Sequence, residues 1–507
     1  MKRRELLKTA LGGAFAPAVG ASAQQPRPRR PGEARRPGGG EMPNVLWICT
    51  DQQRFDTIQE LNNAYVRTPN LQRLMAQSTT FTHAFVQAPV CTPSRASFLT
   101  GRYPRTTGAC HNGQRINENE RLVPRILADY GYECGLSGKL HLSPVAGGRP
   151  ENRIDDGYSQ FWWSHDIADI WPGQNMWHEH LRAEGVEWPQ PPPRTPAWGV
   201  PIDPKHMQTA WCCDKAIQFM RQQSNFGPWL MSVNIYQPHH PFWPAEEYYR
   251  RYDPGELPAP SYVEGELDDK PGYQKRAHTG SWRGHQISGA GDENHHKIKA
   301  AYYAMVEQCD HDIGRMLDAL DETGQAENTV VIFMSDHGEM LGDHGIYLKG
   351  PFFYDCGVRV PLMIRWPERY QAGRKVDALV ELADIAPTIL EAAGIPPEPG
   401  MQGRSLTALL EGRTSSHRDS VYIESYNSGT RRQGAAYATA IRTGTHKLAV
   451  YHTLNDGELY DLTEDPGEHK NLWRDPNSRD VREELLVKLT HRMAETVDPL
   501  PPKNAPW

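Results

Sequence analysis

The chain of 507 residues is long enough for one large domain with a smaller one attached. Its 62 acidic and 55 basic residues leave a net charge of −7, which favours solubility and gives no reason to expect nucleic acid as a partner. The 8 cysteines lack CxxC zinc spacing and are too sparse for a disulfide scaffold, while 42 prolines and 44 glycines predict many long, shaped loops on an α/β scaffold.

In chain order, Arg3 and Arg4 precede a modest apolar stretch, Leu6 to Ala21, that ends in Ala-Ser-Ala. Residues 1–23 therefore read as a twin-arginine signal peptide, too short in apolar length for a spanning anchor. The expected partner is the twin-arginine export machinery, with a periplasmic or secreted location and no stable membrane insertion. Residues 24–42, rich in Pro, Gly and Arg, read as a disordered linker.

"PNVLWICTD", residues 43–51, predicts a buried strand that delivers Asp51 at its carboxyl end. "TPNLQRLMAQ" predicts a helix with Thr68 as N-cap and Pro69 at its first position. Thr92 and Pro93 give the same signal, so Ser94 to Thr100 is expected to be a helix aimed at Cys91. A helix in "RLVPRILADYG" and a strand in "YECGLSGKLH" follow, with Lys139 and His141 alternating on one strand face. "DKAIQFMRQQ" is expected to be helical, "WLMSVNIYQPHHPF" a strand running into a His/Pro loop, residues 296–323 a long helix, and "TVVIFMSDHGE" a second buried strand ending in acid and histidine. "VPLMIRWP" and the helix "LADIAPTILEAAG" come next.

Strands alternating with helices predict a large, mostly parallel sheet sandwiched by helices, with sites beyond the carboxyl ends of its strands. Asp51, His239, Asp336 and His337 all stand at such ends. From residue 416 to 507 the short strands "SVYIES", "AYATAIRT", "HKLAVYH" and "GELYDL", with a helix near 480–495, predict a smaller α+β subdomain with an antiparallel sheet. Residues 43–415 are then the catalytic domain.

Cys91 cannot belong to a tyrosine-phosphatase loop, because Arg95 lies four positions after it and not six. Instead "CTPSRASFLTGR", residues 91–102, resembles the signature of the type I sulfatases. In that family the cysteine is oxidised by a formylglycine-generating maturation enzyme; Cys91, Pro93 and Arg95 match the modification core and residues 99–102 its auxiliary element. "NVLWICTDQQR", "GLSGKLHL", "QPHHPF", "SDHGEMLGDHG" with Lys349, and "LYDLTEDPGEHKNL" are similar to further family segments.

The resemblance implies an alkaline-phosphatase-like fold and the hydrolysis of sulfate monoesters on a sulfated small molecule or carbohydrate. It assigns Cys91, as formylglycine, the nucleophile; Arg95 its orientation; Lys139 and Lys349 the sulfuryl oxygens; His141 the base; and His239, with Lys349, the proton for the leaving alcohol. Asp51, Gln52, Asp336 and His337, with residue 91, are the implied ligands of one divalent cation. The family habit is calcium, with manganese or magnesium as alternatives, and Gln52 and His337 depart from the commonest ligand pattern towards manganese. Thr92, Ser94, Arg102, Asp343 and His344 are read as supporting or structural residues. The same Gln/His pair resembles phosphonate monoester hydrolases and choline sulfatases, and a phosphonate monoester or phosphodiester hydrolase is the alternative, ahead of a non-catalytic glycan-binding relative. Trp162, Trp163, Trp171 and Trp177 either stack on sugar or pack the core.

Overall fold

The computed structural model describes residues 42–500 apart from 62, 146–149, 168–174, 193–194, 196, 279–292 and 428–435, so the signal and most of the linker lie outside it. The strands of the main sheet are β1 (Asn44–Thr50), β2 (Thr79–Phe81), β3 (Glu133–Gly138), β4 (Gln160–Trp163), β5 (Trp229–Ile235), β6 (Thr329–Ser335), β7 (Leu362–Arg365) and β8 (Arg374–Val376). Their spatial order is β8-β2-β7-β6-β1-β5-β3-β4. Only β7 runs against the rest.

The continuous apolar runs explain why the central strands are buried on both faces. Alternate residues of β1 serve two cores: Val45, Trp47 and Cys49 face one, Leu46 and Ile48 the other. In β6, Val330, Ile332 and Met334 join the first core, and Val331 and Phe333 the second. Each such side chain contributes about 1.5–3 kcal/mol by leaving water. Helices α1 (Pro69–Ala76), α3 (Gln208–Gln223) and α4 (Glu293–Glu322) cover the second face. Helices α2 (Cys91–Thr100) and α5 (Ile385–Ala392) cover the first.

The pairing register decides where the site lies. Thr50 stands opposite both Ile235 and Ser335, so β1, β5 and β6 end level and release Asp51, Tyr236 and Asp336 side by side. The second, antiparallel sheet orders β9 (Ser420–Tyr426), β10 (Tyr437–Thr443), β11 (His446–Tyr451) and β12 (Asp456–Asp461). Helix α6 (Arg479–Glu495) covers one face through Leu485 and Leu489. Val421, Ile423, Ala438 and Ala440 on the other face join the main core.

Three local expectations need correction. Thr68 does precede α1, but its hydroxyl accepts from Gln59 N, and the Asp310 carboxylate of α4 caps the helix by accepting from Asn70 N and Leu71 N. Helix α2 begins at Cys91 itself, after an extended Val90. Asn112 Oδ1, from a distant loop, takes the Thr92 amide at 2.9 Å, so the cap that Thr92 was expected to provide is supplied from outside. Finally, β3 stops at Gly138, and Lys139 and His141 lie in the loop beyond it and do not alternate on a strand. Gly138 has φ +100°, and a Cβ there would stand 1.9 Å from Asn234 O. That close approach lets Lys139 N donate to Asn234 O at 3.1 Å and turns the chain towards Cys91.

Candidate active site

The structure brings all ten expected site residues to the carboxyl ends of β1, β3, β5 and β6, around Cys91 at the first turn of α2. Cys91 Sγ is 2.8 Å from Lys349 Nζ, 3.1 Å from His337 Nε2 and 3.8 Å from Asp51 Oδ1. The His141 ring also lies beside this side chain. Burial opposes a charge on Cys91, yet Lys139, Lys349 and His337 outweigh it and hold the thiol well below its usual range. Position 91 is thus built to carry negative charge.

The two aspartates are each gripped on their outer oxygen. Lys139 Nζ lies 2.5 Å from Asp51 Oδ2, and Arg95 Nε lies 2.8 Å from Asp336 Oδ2. The inner oxygens, Asp51 Oδ1 and Asp336 Oδ1, both lie 3.7 Å from His337 Nε2. The opposite ring nitrogen of His337 donates to Gly338 O at 2.9 Å, so Nε2 is the ring atom that faces the carboxylates and would hold a cation in the neutral ring. Ligand atoms of Asp51, Cys91, Asp336 and His337 all fall within 4.8 Å of one another. Gln52, at φ +67°, adds a buried Oε1 that has no hydrogen-bond partner. Two hard carboxylates, an imidazole nitrogen and an orphaned amide oxygen fit a divalent cation.

Arg95 lies one turn after Cys91 in α2, against the two aspartates. Its guanidinium bonds Asp336 Oδ2, Asp51 Oδ2 and Lys139 O and makes no hydrogen bond to the Cys91 thiol. It is a positioning residue for the carboxylates. Ser94 Oγ donates to Asp336 O, and Arg102 pairs with Glu120 and Asp498, both in supporting places as expected. Asp343 pairs with Arg54 at 2.8 Å and His344 with Glu266 at 3.3 Å, away from Cys91.

His239 stands across from the carboxylates, with Nε2 2.7 Å from Lys349 Nζ. Burial and the neighbouring Lys349 lower its pKa to about 4. His240 stacks on it at 4.1 Å with Nδ1 unsatisfied, and its ring is not bonded to Lys349. Sequence reasoning missed Glu339, which receives Gln52 Nε2 on one oxygen and Leu341 N and Leu348 N on the other, and so aims Gln52 Oε1 inward. Its place three residues after Asp336 was the available signal. Of the tryptophans, Trp163 and Trp177 are core residues with Nε1 bonded to Glu151 and to His206 O, Trp162 packs edge-on to Phe219, and Trp171 lies outside the described residues. None of the eight cysteines is in a disulfide, and seven of them are buried.

The family model described as Sulfatase matches residues 43–395, and that described as N-sulphoglucosamine sulphohydrolase, C-terminal, matches 342–495. The chain is 29% identical over 465 residues to an arylsulfatase of Clostridium perfringens, spanning 87% of this chain and 92% of the relative. It is 24% identical over 519 residues to an N-acetylglucosamine-6-O-sulfatase of Bacteroides thetaiotaomicron, spanning 90% and 88%. The solved phosphonate monoester hydrolase of Agrobacterium radiobacter superposes with a TM-score of 0.77 at 27% identity, over 90% of this chain and 96% of that one. The fold is alkaline-phosphatase-like, and the chain belongs to the sulfatase family of enzymes that hydrolyse sulfate esters.

Proposed function

We propose that this sulfatase cleaves sulfate monoesters of a carbohydrate with a formylglycine made from Cys91 and one divalent cation held by Asp51, Gln52, Asp336, His337 and residue 91. The observation that carries this reading is the concentration of Lys139, Lys349 and His337 on a cysteine inside a full "CTPSRASFLTGR" signature. A formylglycine hydrate supplies two hydroxyls on one carbon, one to displace the alcohol at sulfur and one whose deprotonation then expels sulfate without a second attack at sulfur. A divalent cation supplies positive charge to the attacking oxygen and to a sulfuryl oxygen.

The chain's own residues do the rest. Lys139 and Lys349 bind the sulfuryl oxygens and oppose the charge that develops on them. His239 and Lys349, bonded to each other, together supply the proton for the departing sugar oxygen, with the Lys349 ammonium as its source beside a histidine that burial holds neutral. His141, beside residue 91, takes the proton from the remaining hydroxyl. A relative named for a 6-O-sulfated sugar and a related structure solved with its substrate D-glucosamine-2-N,6-O-disulfate support a sugar substrate. The amino-terminal pattern supports export through the twin-arginine route to the periplasm or beyond, after modification by a maturation enzyme. No helix among the described residues is long and apolar enough to cross a membrane.

The Gln52 and His337 pair also favours a second reading, a phosphonate monoester or phosphodiester hydrolase, as does the likeness to the Agrobacterium enzyme. Two measurements test the proposal. Mass spectrometry of the peptide carrying residue 91 is expected to show an aldehyde in active enzyme; full activity with an intact thiol overturns the nucleophile. kcat/KM across sulfated sugars, aryl sulfates and phosphonate monoesters is expected to favour a sulfated sugar; a phosphonate preference selects the second reading.

A further inference from the structure

We propose that Glu151 is a positioning residue for His141, and that it governs the second half of turnover, the release of sulfate, and not the departure of the alcohol. The inference rests on the reading of His141 as the base for that second half.

Glu151 is 6% exposed, and among the described residues no basic side chain pairs with it. A buried carboxylate without a counter-ion costs several kcal/mol unless N–H donors fill its oxygens. Here Oε1 accepts from His141 N at 2.7 Å and from Trp163 Nε1 at 3.0 Å, while Oε2 accepts from Leu142 N at 2.7 Å. The carboxylate thus spans two consecutive amides, and Trp163 ties it to the end of β4.

The first of those amides belongs to a residue at φ +62°. A non-glycine residue there costs on the order of 1 kcal/mol or more and persists only where its surroundings overdetermine it. Glu151 is the group that does so. Ser143 Oγ donating to Asn152 O at 2.7 Å and Ile116 N donating to Leu142 O at 2.9 Å pin the same loop from its two sides.

The ring of His141 explains why a main-chain clamp is needed. A histidine base is ordinarily aligned by a hydrogen bond at its second ring nitrogen, often to a carboxylate. His141 Nδ1 has no hydrogen-bond partner. The ring meets Cys91 on one side and packs edge-on against His165 at 4.8 Å on another. Its alignment therefore comes through its backbone, and the carboxylate that would usually hold the ring holds the peptide instead.

The test uses the full, metal-loaded enzyme with residue 91 converted, and measures alcohol and sulfate release separately on an aryl sulfate. In Glu151→Gln, kcat is expected to fall about 10- to 100-fold through a small misplacement of the base. The ratio kcat/KM, which ends at alcohol departure, is expected to stay within about 3-fold, with a burst of alcohol larger than that of the wild type. In the unconverted, metal-free protein, hydrogen exchange at the amides of residues 141 and 142 is expected to speed up. Equal falls in kcat and kcat/KM without a burst, or unchanged kinetics, overturn the proposal. His141→Ala run alongside separates the two ideas: no burst there overturns the base assignment and Glu151's part with it. A burst in His141→Ala alone overturns only the positioning. Should Glu151→Gln not fold, Glu151→Asp, one methylene shorter, is expected to show the same split at smaller size.

Discussion

Of the clusters of buried charge among the described residues, two are finished to different degrees. Behind α2, Glu381 and Asp384 meet Arg418, Arg492, Tyr103 and His417. Each carboxylate there accepts four hydrogen bonds: Glu381 from Tyr422 N, Arg492, Tyr103 and Arg418, and Asp384 from Arg404 N, Arg418, Glu381 N and His417. There every carboxylate oxygen is bonded and the unpartnered atoms are two donors, Arg418 Nε and Arg492 Nε, whereas around Cys91 they are Gln52 Oε1 and His141 Nδ1, and Gln52, His141 and Leu348 take positive φ. None of the carboxylate and cation residues of the first cluster does so. The closed network ties β9 and α6 to the catalytic core, whereas the open one keeps bonding capacity for a cation and an anion that arrive later.

The largest effect expected from breaking this contrast is at the open cluster. Cys91→Ala should lower kcat/KM on the order of 10⁴-fold or more, as loss of a nucleophile does, while changing stability by less than about 1.5 kcal/mol. Paired activity and thermal-unfolding measurements check it, and a variant that keeps a tenth of its activity removes residue 91 from the chemistry. At the closed cluster the outcome should reverse. Arg418→Met strands two carboxylates and is expected to cost about 3–5 kcal/mol by denaturant unfolding, with kcat per folded molecule unchanged.

Within the open cluster, His239 sharpens the picture further. His239→Ala should slow a sugar sulfate about 100-fold or more and a nitrophenyl sulfate far less, because only the sugar alkoxide needs a proton to leave. His240→Ala should discriminate much less, and a selective loss there instead would move the acid one residue on. The smallest effect concerns pH. Arg418 and His417 overcome the burial that opposes ionisation and hold Asp384 at about 2, below its ordinary 3.8. Between those values the unfolded chain binds more protons, so stability rises with pH. The advantage of wild type over Asp384→Asn, about 2 kcal/mol, should be complete above about pH 4 and fade as pH falls through 2. Unfolding curves of both proteins across that range decide it.

Much of this was legible before any coordinates. The apolar runs ending at Asp51 and Asp336 could only be central strands of a parallel sheet, and level strand ends place both acids together. What escaped was whatever depends on groups distant in sequence. Thr92 and Pro93 look like a helix start, but Asn112 supplies the cap and moves the start to Cys91. Lys139 and His141 look like strand residues because nothing local shows that Gly138 must turn against Asn234. Glu151 belongs to no recognisable pattern and Glu339 shows only its spacing from Asp336, since both work by receiving backbone amides, a job any buried carboxylate at the right depth performs.

The depth of residue 91 sets an order of events in time. Cys91 is 1% exposed, and every residue from Cys91 to Thr100 is buried. An oxidising enzyme that reads this stretch as a peptide must meet it before α2 winds and the sheet closes over it. Under the proposed conversion of Cys91, modification is then a race against folding. With the proposed twin-arginine export of a folded chain, that race would end in the cytoplasm and would settle the active fraction before export begins.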